Sequence, residues 1–222
     1  MAMRAVFLDR DGVINENRAD HVKSWNEFQF IPGALTALRW LHRRGFHVFV
    51  VTNQAIIERG CTTAATVEAI HAQMRVEVAQ HGGKIHDIRY CPHDTHTQCS
   101  CRKPAPGMLH DLANRWGIDL SSSYLIGDAC TDIAAGRAVQ CRCIMVLTGR
   151  GMQQITLPEA REYPPEYIAG DLMGAVAWVF RQERLPLPLP EAVPPRQRQS
   201  EEALVVSTPL TADRRSFHDY MD

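Results

Sequence analysis

Short apolar runs alternating with stretches of helical spacing constrain this 222-residue chain more than any other feature. Residues 4–8, 46–51, 85–90, 124–126 and 143–147 are bounded by polar or turn residues and are too short for buried helices. They therefore read as strands buried on both faces. Between the first two, Pro32-Gly33 opens a segment with Leu35, Leu38 and Leu41 in helical register, and Gly45 closes it. Residues 62–80, 107–116, 132–139 and 172–181 read as further helices. The alternation predicts a three-layer α/β/α fold, a doubly wound parallel sheet covered on both faces. With 45% hydrophobic and 22% charged residues, the chain can fill such a core.

The composition changes after residue 184. Pro186, Pro188, Pro190, Pro194 and Pro195 cannot sit inside helices or central strands, and the polar residues around them offer little to bury. Residues 1–184 are expected to form one domain, and residues 185–222 a proline-rich, disordered tail. The net charge of -1 argues against a basic nucleic-acid module or an anionic-membrane binder. No apolar run approaches the roughly 18 residues of a membrane span. The start, MAMRAVFLDRDG, has no signal-peptide pattern, so a cytoplasmic protein is expected.

In open parallel sheets, ligands bind beyond the carboxyl ends of the strands. The first such end reads Asp9-Arg10-Asp11-Gly12. Two carboxylates separated by one residue can project to one side of an extended segment, and Gly12 permits a sharp turn behind them. Such a pair can divide labour, with Asp9 attacking phosphorus and Asp11 acting first as general acid and then as base. Two solvated loop acids would show the same spacing. The second end, Val51-Thr52-Asn53-Gln54, places a hydroxyl and an amide just beyond a strand, either as donors to a phosphoryl oxygen or as helix caps. The third, Ile126-Gly127-Asp128, suits an oxygen shell for Mg²⁺, with Asp132 as a supporting carboxylate or a first-turn helix acid. Lys103, in Cys-Arg-Lys-Pro, supplies a positive point charge of the kind phosphoryl transfer needs.

Seven cysteines in a chain expected in a reducing compartment point away from a disulfide framework. Cys91-Pro92-His93 is followed, after five residues, by Cys99-Ser100-Cys101. Three thiolates and an imidazole complete a tetrahedral Cys₃His set, which suits a structural zinc. A Cys-His catalytic pair and unliganded thiols are the rival readings. Zinc here would hold Arg102 and Lys103 over the site. Cys61, Cys130, Cys141 and Cys143 read as reduced thiols, and His42, His47, His71, His81 and His110 as surface or core residues.

Taken in order, DRDGVIN, VVTNQ, RKP and IGD with Asp132 resemble the four motifs of the haloacid dehalogenase superfamily, in its phosphatase branch. The resemblance covers residues 3–150. It implies Asp9 as nucleophile and Mg²⁺ ligand, Asp11 as general acid/base and backbone ligand, and Asp128 as the further metal carboxylate. It also implies Thr52 and Lys103 as phosphate binders, beside the Asn53 amide. The C-x-H…C-x-C-R-K-P loop is similar to that of the heptose bisphosphate phosphatase group, whose near relatives act on histidinol phosphate. That similarity implies a minimal cap, a zinc-binding loop, a sugar phosphate that loses its 7-phosphate, and substrate recognition by residues 15–20 and Arg102. Two departures from the group's pattern stand out: Ala55-Ile56 replaces Ser-Gly, and Ala129 replaces a lysine that would help grip the second phosphate. A catalytically silent scaffold that docks a partner through its tail is the expectation from another class. A monomer is expected.

Overall fold

The computed structural model of the chain describes residues 3–188. Six strands lie parallel in one sheet: β1 (Ala5–Leu8), β2 (His47–Asn53), β3 (Asp87–Cys91), β4 (Tyr124–Gly127), β5 (Arg142–Val146) and β6 (Tyr167–Ala169). Their order is β3-β2-β1-β4-β5-β6. The helices are α1 (Ala34–Arg43), α2 (Ala64–Gln80), α3 (Gly107–Trp116), α4 (Cys130–Ala138), α5 (Gly151–Gln154), α6 (Pro158–Glu162) and α7 (Leu172–Gln182).

Alternation along each strand divides the core. Val6, Leu8, Val48, Val50 and Ile126 join Leu38 and Leu41 of α1, Ile70 and Met74 of α2, and Val176 and Phe180 of α7. Their neighbours Ala5, Phe7, Phe49, Val51 and Leu125 face the other way, onto Met108 and Leu112 of α3 and Ile133 of α4. Full burial of one such large side chain contributes about 1.5–3 kcal/mol, so both layers press firmly on the central strands. The predicted three-layer, doubly wound fold is therefore the observed one.

Strand order reverses direction at β1 and β4: the chain moves from β1 outward through β2 and β3, then returns to β4 on the other side. Crossovers diverge at that point and leave a crevice at the carboxyl ends. The connections above it, residues 9–33, 54–63 and 92–106, contain one short 3₁₀ turn (Trp25–Glu27) and build no cap domain.

Some details differ from expectation, among them the short helices α5 and α6, which the sequence reading did not include. Thr52 and Asn53 are not beyond β2 but are its last residues, paired with Tyr90 and Cys91. Strand β6 was not foreseen, because three residues are too few to show a period. At the far end, Leu185 packs against the core, and Arg44 Nη2 donates to Pro186 O at 2.8 Å. The rest of the proline-rich segment, from Leu189, lies outside the described residues. Among the described residues, no helix is long and apolar enough to cross a membrane.

Candidate active site

Asp9 follows β1, and its N–H still donates to Ile126 O of β4 at 3.0 Å. Asp128 follows β4, so the two carboxylates meet at the switch point. Asp132, in the first turn of α4, joins them, and one carboxylate oxygen of each lies within 4.8 Å of the others. All three are buried, at 5%, 0% and 1% exposure. Backbone approach here is close: Gly12 has φ +89°, and a Cβ on it would fall 2.2 Å from Asp128 Oδ2. Glycine is the residue that fits.

Lys103 spends its three ammonium protons inside this cluster. Nζ donates to Asp9 Oδ1 at 2.8 Å and to Val51 O at 2.7 Å, and it pairs with Asp132 Oδ1 at 2.5 Å. Lys103 and the more exposed Arg150, 3.6 Å from Asp128, do not balance three buried acids. Burial raises Asp9 to about 6 against the pull of Lys103, with Asp132 and Asp11 adding to the rise. Burial, together with repulsion from Asp9 and Asp132, takes Asp128 to about 7. Burial alone would lower the Lys103 pKa, but Asp132 and Asp9 outweigh it and raise it.

Asp128 Oδ2 accepts from Arg150 N at 2.8 Å, whereas its Oδ1 is buried without a hydrogen-bond partner. Arg150 Nη2 stands 3.6 Å from Oδ1, outside hydrogen-bonding range. An orphaned carboxylate oxygen among excess buried negative charge is what a hard, oxygen-seeking divalent cation satisfies. The donor set fits Mg²⁺.

Asp11 is half-buried and held from three sides. Its Oδ1 accepts from Asn15 Nδ2 at 2.8 Å and Arg10 Nη2 at 2.9 Å. Its Oδ2 accepts from Arg10 Nη2 at 2.8 Å and Gln54 Nε2 at 2.9 Å. Burial pushes its pKa up, but the Arg10 charge and the hydrogen bonds from Asn15, Arg10 and Gln54 together lower it.

At the end of β3 and in the loop that follows, the sulfurs of Cys91, Cys99 and Cys101 lie 3.1, 3.5 and 3.7 Å apart. His93 Nδ1 is 3.6 Å from Cys91 Sγ and 3.4 Å from Cys101 Sγ. Tetrahedral ligands at Zn–S about 2.3 Å and Zn–N about 2.0 Å stand about 3.5–3.8 Å from one another. Apart from the shorter Cys91–Cys101 separation, these distances lie near that range, and all four donors fall within 4.8 Å of one another, so the set suits zinc. The crevice itself measures about 620 Å³ and is lined by Asp9, Asp11, Thr52, Asn53, Arg102 and Lys103, among others.

Several side chains carry contacts that the sequence did not indicate. Both polar ends of the Asn53 amide are engaged with the Lys103 backbone, Nδ2 to O and Oδ1 to N, each at 3.1 Å. Asn53 thus positions Lys103 and keeps one amide proton on the crevice side, since its nitrogen carries two and Lys103 O takes one. Thr52 Oγ1 accepts from Gln54 Nε2 at 2.9 Å, which leaves its hydroxyl proton for another acceptor. Arg102 lines the crevice while Nη1 donates to His93 O at 2.9 Å. In the loop after the first motif, Asn15 is buried against Asp11 and Asp20 pairs with Lys23, while Asn17 and His21 reach the crevice. Asp132 fills both roles the sequence left open, since its Oδ2 accepts from Ala129 N at 3.1 Å while Oδ1 holds Lys103.

Comparison with known proteins agrees with this geometry. The family model described as haloacid dehalogenase-like hydrolase matches residues 1–137, and an HAD-hydrolase-like model matches residues 100–175. The chain belongs to the haloacid dehalogenase-like hydrolases. A D-glycero-beta-D-manno-heptose-1,7-bisphosphate 7-phosphatase from Pseudomonas aeruginosa is 42% identical over 182 residues, covering 82% of this chain and 100% of the relative. The D-glycero-alpha-D-manno-heptose-1,7-bisphosphate 7-phosphatase of Photorhabdus laumondii is 33% identical, covering 69% of this chain and 88% of its own. A crystal structure of D,D-heptose 1,7-bisphosphate phosphatase from B. bronchiseptica, complexed with magnesium and phosphate, matches with a TM-score of 0.75 at 34% identity. That match covers 81% of this chain and 99% of the other.

Proposed function

We propose that the chain is a Mg²⁺-dependent phosphomonoesterase that removes the 7-phosphate from D-glycero-D-manno-heptose 1,7-bisphosphate through an aspartyl-phosphate on Asp9. The observation that carries this reading is the pair Asp9 and Asp11 opening on one crevice, with Lys103 clamped to Asp9 Oδ1. The relatives' names supply the heptose, and the uncapped crevice leaves room for a sugar with a distal phosphate.

Lys103 fixes Asp9 with one oxygen engaged, leaving the other to attack phosphorus in line with the leaving alkoxide. As the phosphorus–oxygen bond to the sugar breaks, the Asp11 carboxyl gives its proton to the departing oxygen. The lowered proton affinity of free Asp11 requires that proton to arrive with the substrate: an incoming phosphate dianion raises the affinity of the carboxylate beside it. The Asp11 carboxylate then takes a proton from water as the water attacks the aspartyl-phosphate, which releases inorganic phosphate and restores Asp9. Thr52 and Lys103 bind the phosphoryl oxygens. Asp9, Asp128 and the Asp11 backbone carbonyl would hold Mg²⁺, which offsets the charge on those oxygens when bound. Zinc on Cys91, His93, Cys99 and Cys101 would keep Arg102 and Lys103 in register with the crevice.

The deciding experiment is a panel of sugar phosphates, both anomers of the heptose bisphosphate and histidinol phosphate, assayed with Mg²⁺. The heptose bisphosphate should give the highest kcat/KM with phosphate released from C7. No preference for it over the other esters would overturn the substrate assignment.

A further inference from the structure

We propose that His71 is a positioning residue for Asp11: it accepts a hydrogen bond from Arg10 and so fixes the guanidinium that holds the Asp11 carboxylate at the crevice. The inference rests on the reading of Asp11 as general acid and base. Arg10 separates the two acids of the first motif, and its side chain is only 1% exposed. Its Nη2 donates to both oxygens of Asp11 and faces Gln54 Oε1 at 3.3 Å. Its Nη1 faces His71 Nε2 at 3.1 Å. A guanidinium carries donors only and stays charged, so Nε2 must be the acceptor and the ring proton must reside on Nδ1. Burial and the neighbouring Arg10 charge lower His71 to about 3, in keeping with a neutral ring.

The geometry makes this contact matter. Arg10 Nε is already buried without a partner. Remove the acceptor at position 71 and Nη1 joins it, so the buried cation gains by shifting toward other acceptors or water. Asp11 is tied to the same guanidinium and would shift with it. His71 lies within α2, between Ile70 and Met74, which pack in the core. Packing of a helix behind the sheet is thereby transmitted to the acid/base at its edge.

The test uses the leaving group. An alkyl phosphate needs a proton on its departing oxygen, whereas 4-nitrophenyl phosphate releases a weakly basic phenolate that does not. For both, kcat/KM reports only the steps through leaving-group departure. In His71→Leu, kcat/KM for the best alkyl ester of the panel should fall about 10-fold, with little change for 4-nitrophenyl phosphate. His71→Gln, whose amide oxygen restores an acceptor, should keep the wild-type ratio of the two. A misfolded fraction lowers both rates equally, so the ratio reads the folded enzyme alone. Equal losses on the two esters in His71→Leu would overturn the proposal. Asp11→Asn serves as the reference: it should lose about 10²–10⁴-fold on the alkyl ester and far less on the aryl one. Equal losses there would refute the role of Asp11 itself, whereas a split in Asp11→Asn without one in His71→Leu would refute only the positioning.

Discussion

The carboxylates of the crevice and the thiols beside it are held by different means. Asp9 and Asp128 extend the two central strands, whose residues Ala5–Leu8 and Tyr124–Ile126 are all 0% exposed. Packed layers on both faces set their separation before any ligand arrives. The thiol set begins at Cys91, the end of edge strand β3, and continues through residues 92–106, which form no strand or helix. That loop is tied down by Gln54 N to Cys91 O, Glu58 N to Pro92 O and the Arg59–Asp94 ion pair. A site built on core strands keeps its shape without its cation. A loop without a core depends on cross-links, and four metal bonds are the strongest it can form.

The largest effect expected within this contrast is on chemistry rather than shape. Asp9→Asn should lower kcat on the order of 10⁶-fold, as loss of a covalent nucleophile does elsewhere, with the near-ultraviolet circular dichroism unchanged. Residual turnover of the wild-type order would refute the aspartyl-phosphate. Next, Cys99→Ser combined with Cys101→Ser should eliminate bound zinc in elemental analysis. Activity should fall about 10–100-fold, as it does when groups supporting a site are lost, because Lys103 lies two residues from Cys101. Full activity without zinc would show that the loop's hydrogen bonds suffice.

A smaller effect concerns stability. Asp9 and Asp128, raised to about 6 and about 7 from 3.8, bind protons in the folded state that the unfolded chain has already released. Their contribution is fully present below about pH 4 and is lost as pH rises through 6 to 7. Without Mg²⁺ the protein should therefore lose stability from about pH 4 to pH 7, by up to about 1.4 kcal/mol per pH unit for each proton released. With Mg²⁺, which needs both acids ionised, that loss should shrink. Urea midpoints at the two pH values, with and without the cation, measure the difference; an identical slope in both would count against a cation at these acids. The smallest effect is expected from removing residues 189–222, which should leave kcat/KM within about twofold. A larger loss would give the tail a part in the site.

Much of this was legible in the sequence because the relevant signals are local. Apolar runs ending in Asp9, Thr52 and Asp128 place those residues at strand ends, and Gly107 to Trp116 reads as the helix it is. The Cys-x-His and Cys-x-Cys pairs could be read together from spacing alone. Other features were not legible for equally physical reasons. Asn53 and Thr52 present the same side chains whether they bind phosphate or brace a neighbour, and only the Lys103 backbone beside Asn53 shows that Asn53 braces one. His71 read as a surface or core histidine. It is buried, but 61 residues separate it from the Arg10 it faces, and no periodicity links the two.

By itself the sequence determined which segments extend, which coil, and which reactive groups stand at their ends, since these follow from backbone sterics and from neighbours within a few residues. Tertiary structure alone decided that β1 lies beside β4, so that Asp9 meets Asp128 rather than an outer strand's end. It also decided that Asp9 and Asp132 share one ammonium and that one oxygen of Asp128 is left without a hydrogen-bond partner. Strand order, burial and charge balance arise from packing between segments distant along the chain, and the cation site exists only as their product.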